Sequence, residues 1–408
     1  MDNIYKSKCF DDAINKFLNH IESLWTSLPV VIKTINTTKS NAQFSYNSFL
    51  TNNCVFIEDK GYFNIPLEHY RKYITLTKAI ENSTNAIKII KRNFLVSLIS
   101  QYDTYISDSI KAVFEVKPEI INCSEKQLTF AELSNFENIE AAKEFIIEKE
   151  IETVLRESHA EQFKWFEKKL NIQLRKDLPI WQTFIELTQR RNLYIHNDGK
   201  ISTQYFSVCK EHSVNLDDKL KIGDELEASF KYFEKAFRCL FEIGVKLNQV
   251  IRRNLVPDEI EKADHSFLII SYELIENRQL ELAKTLYDFS DKFIKKYSNE
   301  DLRLRILLNR AQTYKWLDDE KECKKIINSI DWSATSDLFK FASAVLLDDF
   351  QQAGEVMRSI GNNEKIIQKN SYKDWPIFKI FRQSQIFKDV YLEVFGESFE
   401  IIQEEIKK

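Results

Sequence analysis

The chain has 408 residues, 43% apolar and 13% aromatic, which allows two or three domains with sizeable cores and excludes global disorder. A net charge of -4 excludes a polycation built as a whole for nucleic acid, although a local basic groove would not show in that sum. Only 7 glycines and 6 prolines occur, against about 29 and 20 for average usage; tight-turned sheets need glycine where φ is positive, so the scarcity favours long helices and an all-α fold.

In chain order, Phe10, Ile14, Phe17, Leu18, Ile21, Leu24 and Trp25 repeat with a 3.6-residue period and predict a helix over 10–27, closed by Pro29. Residues 36–64 are rich in Asn, Ser and Thr; within them Val55–Ile57 and Tyr62–Phe63, around Gly61, read either as a short hairpin or as a loop. Helical periodicity returns at Leu67–Ile80 and then from Thr84 to Phe114, stopped before Pro118. Further helices are predicted at 138–157, 159–170 and 177–196, the last with Asp177 as candidate cap and an end before Gly199. A short helix near 203–210 and a long one over 222–253, with Leu226, Phe230, Phe233, Phe237 and Leu240 on its apolar face, follow.

Pro257 marks the expected domain boundary. Beyond it Ser271–Ala283, Thr313–Cys323 and Ala344–Ala353 each join two helical patterns across a short polar turn. The copies recur at roughly 30–45 residues, a helical-hairpin spacing that suits a tetratricopeptide-like array or another α-hairpin solenoid. The tail, 363–408, carries Trp375-Pro-Ile-Phe378 and Phe387–Phe395 and reads as a capping helix.

The six cysteines (Cys9, Cys54, Cys123, Cys209, Cys239, Cys323) form no C-x-x-C pair and have no histidine at ligand spacing, which argues against a zinc site and a disulfide framework. Free thiols in a reducing compartment are expected. The N-terminus has no basic region followed by an apolar core, and Phe94–Ile99 is too short to span a bilayer, so the expectation is a cytoplasmic protein with no membrane partner. Glycine-rich phosphate loops, G-x-S-x-G, H-E-x-x-H and EF-hand patterns are missing, and neither metal nor cofactor is expected.

One segment carries chemistry: Gln189-Arg-Arg-Asn-Leu-Tyr-Ile-His-Asn-Asp-Gly199. His196 alone among the histidines has an arginine five or six residues upstream, Arg191 and Arg190. On a helix Asn192 and His196 share a face, and the long side chain of Arg191 can reach the same pocket. Imidazole and guanidinium without metal ligands suit metal-free phosphodiester chemistry: histidine moves a proton of an RNA 2′-hydroxyl or a leaving 5′-oxygen, and arginine holds the phosphate. The bland alternative is a helix C-terminus, where a protonated imidazole complements the dipole.

Arg-Asn-x3-His at a helix end resembles the Arg-x4-6-His motif of the HEPN superfamily, and Arg191, Asn192 and His196 match it residue by residue. Leu95–Asp108 looks like the long helix before the motif in the RiboL-PSP-like HEPN branch, and Arg190–Ile201 is similar to that branch's motif helix and following turn; the resemblance covers roughly 85–255. It implies a metal-independent endoribonuclease leaving a 2′,3′-cyclic phosphate, a homodimer with facing motifs, and a toxin or effector of bacterial anti-phage defence. Some HEPN domains are instead non-catalytic binding modules. In these terms Arg191 and His196 are catalytic, with Asn192, Arg190, Tyr194 and Asp103 supporting; a solvated or capping role for Asp103 stands beside that.

Lys168, Lys169, Arg175 and Lys176, with Tyr205, are candidates for RNA contact, or else a solvated face balanced by Glu161 and Glu167. Lys88, Lys91, Arg92, Arg252 and Arg253 read as ordinary surface charge. The expected organisation is an N-terminal helical extension (1–80), a HEPN-like helical bundle (81–256) and a tetratricopeptide-like α-hairpin solenoid with its cap (257–408). The hairpins would take a protein partner, trigger or inhibitor. The rival expectation is a non-catalytic dimeric scaffold that binds nucleotide or RNA.

Overall fold

Two helices of about 70 Å each organise the first part of the chain. In the computed structural model, which describes residues 6–123, 127–176 and 178–399, α1 spans Lys8–Asn53 and α2 spans Tyr70–Val116. They pack along one another, and the connection between them is an antiparallel hairpin, β1 (Val55–Ile57) with β2 (Tyr62–Asn64), in the register Phe56 opposite Phe63. Of the two readings open for that segment, the hairpin is the one found.

Both long helices overrun their expected ends. Pro29 lies inside α1, where a missing N–H and a ring clash cost about 3 kcal/mol. Packing offsets this: Trp25 stacks on Phe237 at 5.0 Å, Leu28 is buried, and Phe49 is buried near the far end. The polar run that follows stays helical because its hydroxyls find partners within the helix. Thr34, Thr37, Thr38 and Thr51 each donate to the carbonyl four residues back. The predicted break between Ile80 and Thr84 is bridged in the same way, by Ser83 and Thr84 donating to Ala79 and Ile80.

After the short α3 (Phe130–Leu133) come α4 (Ile139–Arg156), α5 (His159–Leu170), α6 (Trp181–His196), α7 (Thr203–Glu211) and α8 (Phe230–Leu255). Asp177, the expected cap of α6, lies outside the described residues, and α6 starts at Trp181. The long helix expected from 222 starts at Phe230 instead. Residues before it run extended against the turn after α6, with Lys200 bridged to Glu225 and Leu226 N–H donating to the Gly199 carbonyl.

The core of this part forms where α1, α2 and α8 meet. Phe17 stacks on Tyr105 at 4.8 Å, and the Tyr105 hydroxyl donates to the carbonyl of Gly244 on α8. A Cβ at Gly244 would stand 2.6 Å from the Phe17 ring, so this contact needs glycine. Two arginines expected at the surface are buried. Arg252 makes a two-pronged pair with Asp11 (2.5 and 3.0 Å) and also donates to Ser7. Arg92 is 8% exposed and belongs to the site described below. A guanidinium that finds a carboxylate fork can be buried, and the partners lie far off in sequence.

The chain divides into two compact units, Met1–Val256 and Pro257–Lys408. The second contains three helical hairpins: α9 (Ile260–Glu276) with α10 (Leu280–Phe293), α11 (Glu300–Trp316) with α12 (Glu320–Ile327), and α13 (Asp337–Leu346) with α14 (Phe350–Ile360). Their turns share one construction. Arg278, Asp318 and Asp348 sit at φ of 59°, 61° and 60°, and the next N–H donates five residues back: Gln279 to Leu274, Asp319 to Tyr314, Asp349 to Ala344. The short α15 (Lys369–Asp374) and α16 (Gln385–Phe395) follow, and α16 packs on α14. Among the described residues no helix is long and apolar enough to cross a membrane.

Candidate active site at the C-terminal end of α6

Helix α6 ends because Asp198 and Gly199 adopt positive φ (48° and 77°), and the Gly199 N–H returns to the Leu193 carbonyl at 3.0 Å. The turn is then fastened from outside. Arg92 of α2 donates to Asp198 at 2.6 Å and to Glu225, and its guanidinium lies over the Tyr194 ring, 5.4 Å from the centroid. Tyr194 in turn donates from its hydroxyl to the Leu226 carbonyl at 3.2 Å. Tyr194 and Arg92 therefore hold the motif turn in place.

Arg191 is partly buried and oriented from two sides. Its Nη2 donates to Asp103 Oδ2 of α2 at 2.5 Å, and its Nη1 to Asn192 Oδ1 at 3.1 Å. Its Nε is buried with no acceptor among the described residues. The other oxygen of Asp103 contacts Nε2 of His159, the first residue of α5, at 2.9 Å. Asp103 thus stands between an imidazole and a guanidinium. His159 is 9% exposed and packs against Phe184 and Tyr102, with centroids at 5.7 and 6.1 Å.

His196, the last residue of α6, is exposed and makes no hydrogen bond or ion pair among the described residues. Its imidazole is free to meet a ligand. Arg191 leans onto Asn192, which lies one helical turn before His196 on the same face. The end of α6 thus offers a fixed cationic fork beside a free acid or base.

Arg190 has a different role. Its Nε donates to Glu186 Oε1 at 2.7 Å, and its guanidinium lies 3.8 Å from the centroid of Tyr232. Glu186 also accepts from the hydroxyls of Tyr205 (2.8 Å) and Tyr232 (2.5 Å). Burial and the neighbouring Glu186 carboxylate push the Tyr205 and Tyr232 hydroxyls well above their ordinary range, so both stay protonated donors. Tyr205 is 1% exposed and cannot present its ring to a base.

The four basic candidates before α6 divide as well. Lys168 and Lys176 are exposed and form no ion pair among the described residues. Lys169 reaches Glu150 at 3.9 Å, and Arg175 is tied to Glu167 by two donors at 3.0 and 2.6 Å. Burial alone would raise Glu167; Arg175 and the N–H groups of Leu174 and Arg175 outweigh it and hold the carboxyl below its ordinary range.

His159, Glu186, Arg92 and Tyr232 had no marker in the sequence. Their partners lie tens of residues away, except for the Glu186–Arg190 spacing of four on one helix, which was there to be read. Among the described residues no group of three or more His, Cys, Asp or Glu side chains is placed to hold a metal ion. No family model matches the chain, and no curated protein or solved structure matches it either.

Proposed function

We infer that the first unit is a metal-independent endoribonuclease of HEPN type, working in the cytoplasm as a toxin or effector of bacterial anti-phage defence. One observation carries this reading: Arg191 is pinned through Asp103 and Asn192 at the end of a helix whose last residue, His196, has a free and exposed imidazole. Arg191 holds the scissile phosphate and stabilises charge on its non-bridging oxygens. His196 takes the proton of the 2′-hydroxyl as that oxygen attacks phosphorus. The P–O5′ bond breaks, the leaving oxygen takes up a proton, and a 2′,3′-cyclic phosphate remains. A second His196, from the other subunit of a homodimer, supplies that proton. The second unit, read as a tetratricopeptide-like solenoid, receives the protein trigger or inhibitor.

Wild-type, Arg191→Ala and His196→Ala proteins incubated with RNA in EDTA test this. Cleavage by the wild type, reduced about 100-fold or more in both variants at unchanged helicity, is the expected outcome. Equal activity in all three means a contaminating nuclease and rejects the reading.

A second reading has its own observation. Both Nη atoms of Arg191 already have protein acceptors, as in a purely structural link between α6 and α2. In that case the unit is a non-catalytic dimeric scaffold, and Arg191→Ala lowers the melting temperature without any activity to lose.

A further inference from the structure

The second unit encloses a cavity of about 290 Å³ bounded by α9, α11, α13 and the 375–378 turn. Its walls are mostly carbon, with Leu268, Leu308, Leu338 and Phe378 prominent. Gln312 of α11 departs from this. It lines the cavity, is 1% exposed, and its Nε2 has no acceptor among the described residues. Two other polar groups on the lining already have neighbours: Arg305 is tied to Asp301 at 2.6 Å, and Tyr272 stands beside Glu276.

An amide donor left unpaired among carbon atoms destabilises the fold, whereas leucine would fill nearly the same space without that cost. A donor retained at a cavity wall despite this is a recognition group whose acceptor arrives with the ligand. The ligand's polarity follows. An amine or ammonium would set donor against donor, and a carboxylate would find its nearest cation, Arg305, already paired. A neutral group that only accepts fits.

We propose that this cavity binds an apolar small molecule bearing a carbonyl oxygen, an aliphatic ketone or acyl ester. The oxygen accepts from Gln312 Nε2, and the hydrocarbon lies against Leu268, Leu308 and Leu338. This assignment rests on the second unit alone and is independent of the ribonuclease reading.

Calorimetric titration of the full chain with 2-nonanone, and with nonanoate and nonylamine as matched controls, tests it. Saturable binding of the ketone, tighter than either control, is expected. Gln312→Leu weakens it about tenfold, the worth of one hydrogen bond, and raises the melting temperature by about 3 °C as the unpaired donor disappears. Ile269 is 56% exposed at the rim, so Ile269→Trp blocks entry at unchanged helicity and abolishes binding. The proposal is overturned by no saturable binding to wild type, by equal affinity in Gln312→Leu, or by a control ligand that binds as tightly as the ketone.

Discussion

Arg190 and Arg191 are adjacent in the chain and have unlike surroundings. Arg190 is enclosed with Glu186, Tyr205 and Tyr232, and a carboxylate losing its only cation in such a place is left with an uncompensated buried charge. Arg190→Ala is therefore expected to cost roughly 3 kcal/mol of stability, seen as a lower urea midpoint. Arg191 sits at a partly exposed site, with Asp103 also engaged by His159, so its loss leaves a carboxylate that keeps one partner and some water. Arg191→Ala is expected to cost about 1 kcal/mol or less in the same titration. Equal midpoint shifts for the two variants would show that the neighbours do the same job. The thiols follow the same logic of surroundings: burial pushes Cys209 and Cys323 up to about 11, so neither is an activated nucleophile at neutral pH.

For the elements, length was harder to read than type. Helix α1 survives Pro29 because aromatic packing around Trp25 and contact along α2 outweigh one lost hydrogen bond. The junction of α1 with α8 is its tightest point. Gly244→Ala would press a methyl group into Phe17, and the rings stacked behind it leave little room to move. The expected loss is about 1–3 kcal/mol, measured by chemical denaturation, with helicity otherwise kept. A neutral result would mean that Phe17 can rotate away. In the hairpins the turns place Arg278, Asp318 and Asp348 at positive φ without a glycine, which is why glycine scarcity did not prevent sharp reversals.

At the scale of the whole molecule, each unit has its own core. Calorimetry is expected to resolve two unfolding transitions. Gly244→Ala should lower one of them. Gly354→Ala, whose Cβ would meet the Ile386 side chain at 2.7 Å, should lower the other. One transition displaced by both substitutions would show that the units melt together.

Composition and apolar period sufficed for the helical class, for most helices of the first unit and for the absence of a spanning helix among the described residues, because these depend on neighbours three or four residues apart. The Arg-Asn-x3-His segment was visible for the same reason. Tertiary structure decided what that spacing does not encode: that α1 runs on through Pro29, that Arg92 and Arg252 are buried, that Tyr205 and Arg190 belong to a closed polar cluster, and that Asp103 joins His159 to Arg191. Each depends on a partner brought close by folding. The worth of a charge or a hydroxyl is set by what surrounds it in space, and chain order alone does not specify that.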